Sequence, residues 1–228
     1  MRIDKLLSQL KYGSRNDIKK IISKGSIKVN QVVIDASNYE VSPMKDEIYI
    51  RDEKLFYRDP IHLAIYKPLG YLSANFDKMH PCIMELIQSP FQRFDFKIAG
   101  RLDIDAEGLM ILTTDGMLAH ELTHPKYRVK KTYEVILDKP FCHEKELLLG
   151  VKIMDQHQEP FIAKALDLQT IDHYVKLSID EGKFHQVKRM FISLGYEVNH
   201  LKRVQIGKLN IQDLQPGAYI EIQKEDII

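Results

Sequence analysis

Cysteine is scarce in this chain. Cys82 and Cys142 are the whole supply, far apart and without a Cys-x-x-Cys pair, which removes the usual signal for a structural zinc site or a disulfide framework. Two free thiols in a reducing compartment are expected. No stretch approaches the eighteen or so apolar residues of a membrane span. The opening MRIDKLLSQLKYGSR breaks its apolar positions with charges, so it does not read as a signal peptide. A cytoplasmic protein with no membrane partner is the expectation. Gly-x-Gly-x-x-Gly, P-loop and Gly-x-Ser-x-Gly patterns are also missing, and with them the signals for a dinucleotide, a nucleoside triphosphate or a strained serine nucleophile.

Net charge is nearly absent too, at +1, but this balance hides an asymmetry. Residues 1–30 hold eight Lys/Arg against Asp4 and Asp17, a net of +6, leaving −5 for the remainder. Such a block suits a polyanion, although a solvated helix face also explains many charge runs. Ile3, Leu6, Leu7 and Leu10 follow helical spacing. Ser14 is an N-cap candidate for a second helix bearing Ile18, Ile21 and Ile22, with Gly25 at its end. Arg15, Lys19, Lys20 and Lys24 fall roughly opposite those isoleucines. Short strands follow around the Asn30-Gln31 turn and at 47–50.

This N-terminal unit ends at about residue 58, in the polar stretch 51–60, which reads as a linker. Residues 59–228 form the second domain. Its expected strands lie at 62–68, 109–113, 132–137, 175–179 and 218–222. Helices are expected near 81–88, 116–122, 142–149 and 184–194. The mixture indicates an α+β fold on a mixed, largely antiparallel sheet flanked by helices.

The stretch AGRLDIDAEGLMILTTDG (99–116) concentrates Asp103, Asp105, Glu107 and Asp115 beside Arg101. Asp103, Asp105, Glu107 and Gly108 imitate the start of a calcium-binding EF-hand loop, but the closing bidentate glutamate is replaced by Thr114. Calcium is therefore not expected. Taken by itself, the stretch reads as a solvated turn carrying a weak surface ion pair.

Four segments together alter that reading. GRLDIDAEGLMILTTDG, YKPLG (66–70), KTYEV (131–135) and EGKFHQVKRMFISLGYEV (181–198) resemble, in order and spacing, the signatures of the RsuA-type pseudouridine synthases that modify ribosomal RNA. The first residues resemble an S4 RNA-binding domain, and the likeness spans essentially the whole chain. It implies conversion of one uridine of 16S ribosomal RNA, of the uridine-516 type, to pseudouridine. The reaction breaks N1–C1′ and joins C5 to C1′ with no change of oxidation state, so no cofactor and no metal are expected. The resemblance assigns Asp103 as the catalytic carboxylate, Tyr133 as the aromatic that stacks on the extruded uracil, and Lys188 as the cation that keeps the aspartate ionised. Asp105 and Glu107 remain turn acids.

RNA contacts are expected from Arg101, Lys67, Arg189 and Gln186, although Gln186 and His185 also read as loop-shaping residues. Lys126, Arg128, Lys130 and Lys131, alternating with Tyr127 and Val129, are candidates to line an RNA groove, as are Arg15, Lys19, Lys20 and Lys24. Ala106 stands where the family usually has threonine, a change worth about 1 kcal/mol of loop hydrogen bonding. The partner is ribosomal RNA, naked or within an assembly intermediate, and the protein is expected to act as a monomer. A large-subunit enzyme of the same family is the alternative. A non-catalytic assembly factor is the more distant one.

Overall fold

Helices α1 (Ile3–Gln9) and α2 (Arg15–Ser23) open the chain as the apolar spacing predicts. The computed structural model describes residues 1–155, 157–211 and 213–228. Ile3, Leu6 and Leu7 of α1 and Ile18 and Ile22 of α2 are buried. Ser14 caps α2 in a reciprocal box with Asp17, satisfying donors that every helix start leaves free. Strands β1 (Ile27–Val29) and β2 (Val32–Val33) meet through Asn30 and Gln31, both at positive φ, the geometry of a tight hairpin turn. Strands β3 (Ile48–Ile50) and β4 (Glu53–Lys54) complete an antiparallel sheet in the order β2-β1-β3-β4.

Segment 51–60 is therefore not a linker. It contributes β4, and Phe56 meets Phe91 and Phe94 edge-on at centroid distances of 5.5 and 6.0 Å. Those rings come from residues Ile87–Phe96, which form one compact unit with Met1–Ile61. Arg93 lies over the Tyr12 ring at 4.0 Å, and Lys11 pairs with Asp95 at 2.9 Å. An aromatic cluster with partners thirty residues away cannot be seen in local periodicity.

The second unit comprises His62–Leu86 and Lys97–Ile228. Its strands are β5 (His62–Lys67), β6 (Lys97–Ala99), β7 (Glu107–Thr113), β8 (Lys131–Leu137), β9 (Val151–Met154), β10 (Pro160–Ala163), β11 (Asp167–Ile171), β12 (Tyr174–Ile179), β13 (Val198–Ile206), β14 (Leu209–Asn210) and β15 (Tyr219–Ile222). The main sheet runs β11-β12-β8-β13-β7-β5-β15, with β14 on β13 and β6 on β7, while β9 and β10 pair separately. Only β13 and β7 pair in parallel among these described strands. Every residue of β5 is buried, as befits a strand covered on both faces. Ala64, Leu109, Ile111, Val204 and Ile206 share a core with Leu118 and Leu122 of helix α3 (Gly116–Thr123), which Asp115 caps through the amides of Met117 and Leu118.

Helices α4 (Glu144–Leu149) and α5 (Gln186–Ser193) also appear where expected. The helix expected at 81–88 is only a short 3-10 turn, Ile83–Leu86. Leu72 explains the difference: its amide donates to Pro81 and its carbonyl accepts from Ile83, so backbone groups needed to start a helix are already engaged. Strand β13, the longest, was not foreseen. It carries a buried arginine in its interior, contrary to the apolar-inside pattern by which strands are recognised. Its parallel register sets Arg203 against Gly108, where an added Cβ would lie 2.2 Å from the Arg203 carbonyl oxygen. Only glycine fits there.

Candidate active site

Asp103 stands on the turn between β6 and β7, and that turn is held from three sides. From below, the Arg203 guanidinium donates to the carbonyls of Leu109, Gly100 and Arg101 at 2.8, 3.0 and 3.5 Å. Arg203 is 1% exposed, so its bonds are made away from water and count for more than surface ones. Beside it, the Ser73 hydroxyl donates to the Leu102 carbonyl at 2.6 Å and accepts from the Leu102 amide at 2.9 Å. On the far side Gly70 donates its amide to Ile104. The residues flanking the aspartate are thus fixed by side chains and backbone from β13 and from the segment after β5. Ala106, on the same turn, is fully buried.

The turn borders a cleft of about 610 Å³, counted out to the solvent, whose walls include Asp103, Arg101, Tyr133, His185, Lys188 and Leu201. Tyr133 comes from β8, where it sits opposite Leu177 and Arg203, and it is almost wholly buried. Lys188 lies in the first turn of α5. Its Nζ is 3.7 Å from Asp103 Oδ2 and 2.5 Å from Asp105 Oδ1. Four segments distant in the sequence therefore reach one cavity, and the three residues named for chemistry all line it.

Two acidic side chains do more than the sequence suggests. Asp105 takes the shorter of the two Lys188 contacts, and the hydrogen bond from that ammonium is the main reason its carboxyl is held below the usual carboxylate range. Glu107 lies 2.9 Å from His200 Nε2. A third group, expected only to shape its loop, also reaches the aspartate. His185 Nε2 is 3.0 Å from Asp103 Oδ1, while its ring stacks on Phe184 at 3.7 Å and the Arg189 guanidinium lies over the same phenyl ring. The aspartate thus has a different cationic or imidazole partner near each oxygen. A histidine beside a conspicuous basic helix gives no sign of this in the sequence, because the contact spans 82 positions.

Several residues expected to touch RNA prove to be internal. Lys67 is fully buried and donates to the Pro68 carbonyl at 2.9 Å. Burial depresses its pKa from 10.5 to about 8, against an opposing pull from Asp103, Asp105 and Glu107. Lys131 is likewise buried, bonded to the Val129 carbonyl, and lowered to about 8 by burial and then by Arg203. Gln186 is buried as a clamp on its own loop, accepting from the Lys183 amide and donating to Glu181. Lys131 and Gln186 nonetheless line the cleft with Asp103. The cations of 126–131 do not form one row. A 3-10 turn covers Pro125–Tyr127, Arg128 turns to Asp180 at 2.7 Å, and Lys130 pairs with Asp167 at 2.6 Å. Arg189 donates to the Met154 carbonyl.

Arg101 remains exposed on the cleft wall, and Lys126 is exposed beside Tyr127. In the first unit Arg15, Lys19, Lys20 and Lys24 all stand exposed on or just beyond α2. Among the described residues no helix is long and apolar enough to cross a membrane.

Comparison with known proteins identifies the family. A family model described as RNA pseudouridylate synthase matches residues 61–193, and an S4 domain model matches residues 1–48. An uncharacterized RNA pseudouridine synthase of Aquifex aeolicus is 37% identical over 230 residues, covering all of this chain and 94% of that protein. Ribosomal small subunit pseudouridine synthase A of Haemophilus influenzae is 35% identical over 237 residues, covering all of this chain and 98% of its own length. A solved pseudouridylate synthase superposes with a TM-score of 0.66 at 32% identity, covering 99% of this chain and 97% of that one. The chain is therefore a member of the RNA pseudouridylate synthase family, an isomerase that carries an S4 domain at its N-terminal end.

Proposed function

We propose that this enzyme converts a uridine of small-subunit ribosomal RNA, of the uridine-516 type, to pseudouridine, with Asp103 as the carboxylate that acts on the nucleoside. The observation that carries the reading is the meeting of Asp103, Tyr133 and Lys188 in one cleft, together with relatives named for the small ribosomal subunit. Each residue suits a need of the reaction. The N1–C1′ bond breaks, the uracil turns, C5 bonds to C1′, N1 gains a proton and the C5 proton leaves. A carboxylate facing the sugar and base edge can assist the bond exchange, and Asp103 is fixed for this by Arg203 and Ser73. Preorganised groups of this kind need not rearrange as the reaction proceeds.

Tyr133 supplies an aromatic wall on which an extruded base stacks. Lys188 places positive charge between Asp103 and Asp105. Arg101 is exposed where the RNA backbone would enter. The basic side of α2 adds sequence-independent attraction to phosphates. Lys126 adds an exposed cation, whereas Arg128, Lys130 and Arg189 contribute to RNA binding only where their present partners are exchanged for phosphate. The reading describes a cytoplasmic monomer acting on free rRNA or on an assembly intermediate.

The test uses 16S rRNA transcript tritiated at uridine C5. Wild type releases the label, and Asp103→Asn releases none. Equal release from both proteins removes Asp103 from the chemistry. Release from 23S transcript alone would move the enzyme to the large subunit.

A further inference from the structure

The segment between β5 and the 3-10 turn at Ile83–Leu86 forms a closed loop whose base is pinned by Leu72 to Pro81 and Ile83. One leg of that loop grips the catalytic turn, through Gly70 to Ile104 and through both bonds of Ser73 to Leu102. Its tip is ordered differently. Asp77 Oδ1 accepts from the amides of Met79 and His80 at 2.8 and 3.0 Å, so the acid is occupied in shaping the bend. That leaves Phe76 77% exposed and Met79 84% exposed, with the basic Lys78 and the imidazole of His80 also turned to solvent.

Single exposed apolar residues are ordinary. What distinguishes these two is their position. Phe76 is three residues from Ser73, so at most about 10 Å of chain separates it from the side chain that holds Leu102. That distance corresponds to roughly three stacked nucleotides. The fold gains almost nothing from Phe76 and Met79, yet presents both on a shaped bend anchored to the turn that carries Asp103.

Resting on the function proposed above, we infer that residues 74–80 form a stacking element for RNA bases next to the uridine held in the cleft, with Phe76 as the main platform and Met79 as a second apolar contact. Extruding a uridine leaves its neighbours without a stacking partner. An aromatic face supplies one without regard to sequence, and an apolar wedge stabilises an opened step in the same way. Lys78 favours the phosphates on either side, and the exposed His80 ring offers a hydrogen-bonding group beside it. A nucleic acid fits this combination of ring, thioether and positive charge better than an apolar protein groove does.

The experiment compares wild type, Phe76→Ala, Phe76→Ala/Met79→Ala and Phe76→Trp on a folded rRNA fragment and on a short unstructured oligonucleotide containing the same uridine. Loss of one stacking platform lowers kcat/KM on the folded fragment about tenfold for Phe76→Ala, whereas Phe76→Trp retains it and the oligonucleotide changes less than about twofold. Melting temperatures stay level, since Phe76 is 77% exposed. In parallel, 2-aminopurine next to the target reports stacking in complexes of Asp103→Asn with and without Phe76→Ala, and its quenching is lost with the ring. Wild-type kinetics in Phe76→Ala/Met79→Ala together with unchanged quenching in Asp103→Asn/Phe76→Ala overturn the inference. So does wild-type activity of the variants on the folded fragment alongside a defect on assembled ribosomal particles assayed in parallel, which would give the tip to a protein. If wild type releases no tritium from any rRNA, the isomerase reading fails, and the fluorescence still decides whether the tip touches bases.

Discussion

Replacing Lys67 by methionine isolates the effect of one buried amine. The ammonium is fully enclosed, with the Pro68 carbonyl as its hydrogen-bond partner and Asp103, Asp105 and Glu107 acting on it through space. Burial outweighs those carboxylates and lowers the pKa from 10.5 to about 8. At about 1.4 kcal/mol per unit, this depression corresponds to roughly 3 kcal/mol of differential stability. Its sign follows from proton binding. Below about pH 8 both folded and unfolded chains hold the proton, and the full cost is present. Between about 8 and 10.5 the unfolded chain holds more protons than the folded one, so stability rises with pH.

Methionine keeps an unbranched stem and removes the titration. Relative to Lys67→Met, wild type should therefore gain about 2 kcal/mol between about pH 7.5 and pH 10. Lys131, similarly depressed, is present in both proteins and cancels. Urea unfolding followed by circular dichroism at the two pH values measures the difference. Parallel pH dependences, or a wild type that loses ground as pH rises, would refute the assignment of a depressed pKa to Lys67.

Arg203→Lys retains the charge but cannot supply three carbonyl contacts from one planar fork. A loss of roughly 2–4 kcal/mol in stability is expected from the unpaired carbonyls. At temperatures where the variant is folded, kcat should fall while KM moves little; wild-type kcat would deny Arg203 its part in positioning the aspartate. On the N-terminal unit, Lys19→Gln/Lys20→Gln should weaken rRNA binding and reduce the slope of log K against log salt by about 1.4. Filter binding across a salt series measures that slope, and an unchanged value would separate α2 from the RNA.

The sequence was most informative where residue identity itself sets the chemistry. Asp103, Tyr133 and Lys188 could be assigned to one site because the three segments that carry them are distinctive, and all three line one cleft. Side-chain polarity alone was a poorer guide. Lys67, Lys131 and Gln186 look like surface groups in one dimension, and their burial depends on strands that arrive from elsewhere. Arg203 escaped notice for the opposite reason: an arginine amid Val198–Ile206 looks solvent-facing, yet it is needed inside to satisfy carbonyls of an irregular turn. The hairpin strand β4 was hidden because two positive-φ residues, Arg51 and Asp52, form its turn without glycine. The start of α2 fared better, since the Ser14 cap acts through bonds only three residues long.

The ten residues Ile87–Phe96 belong physically with a unit whose other members end at Ile61. The backbone consequently changes sides three times, after residues 61, 86 and 96, and the N-terminal module is not a detachable bead. A recombination event that exchanged this module at one crossover point would leave its aromatic keystone behind. Inheritance of the two units is thus coupled by packing as well as by reading frame, and an S4 domain transplanted onto this enzyme needs a matching strip from the middle of the recipient chain.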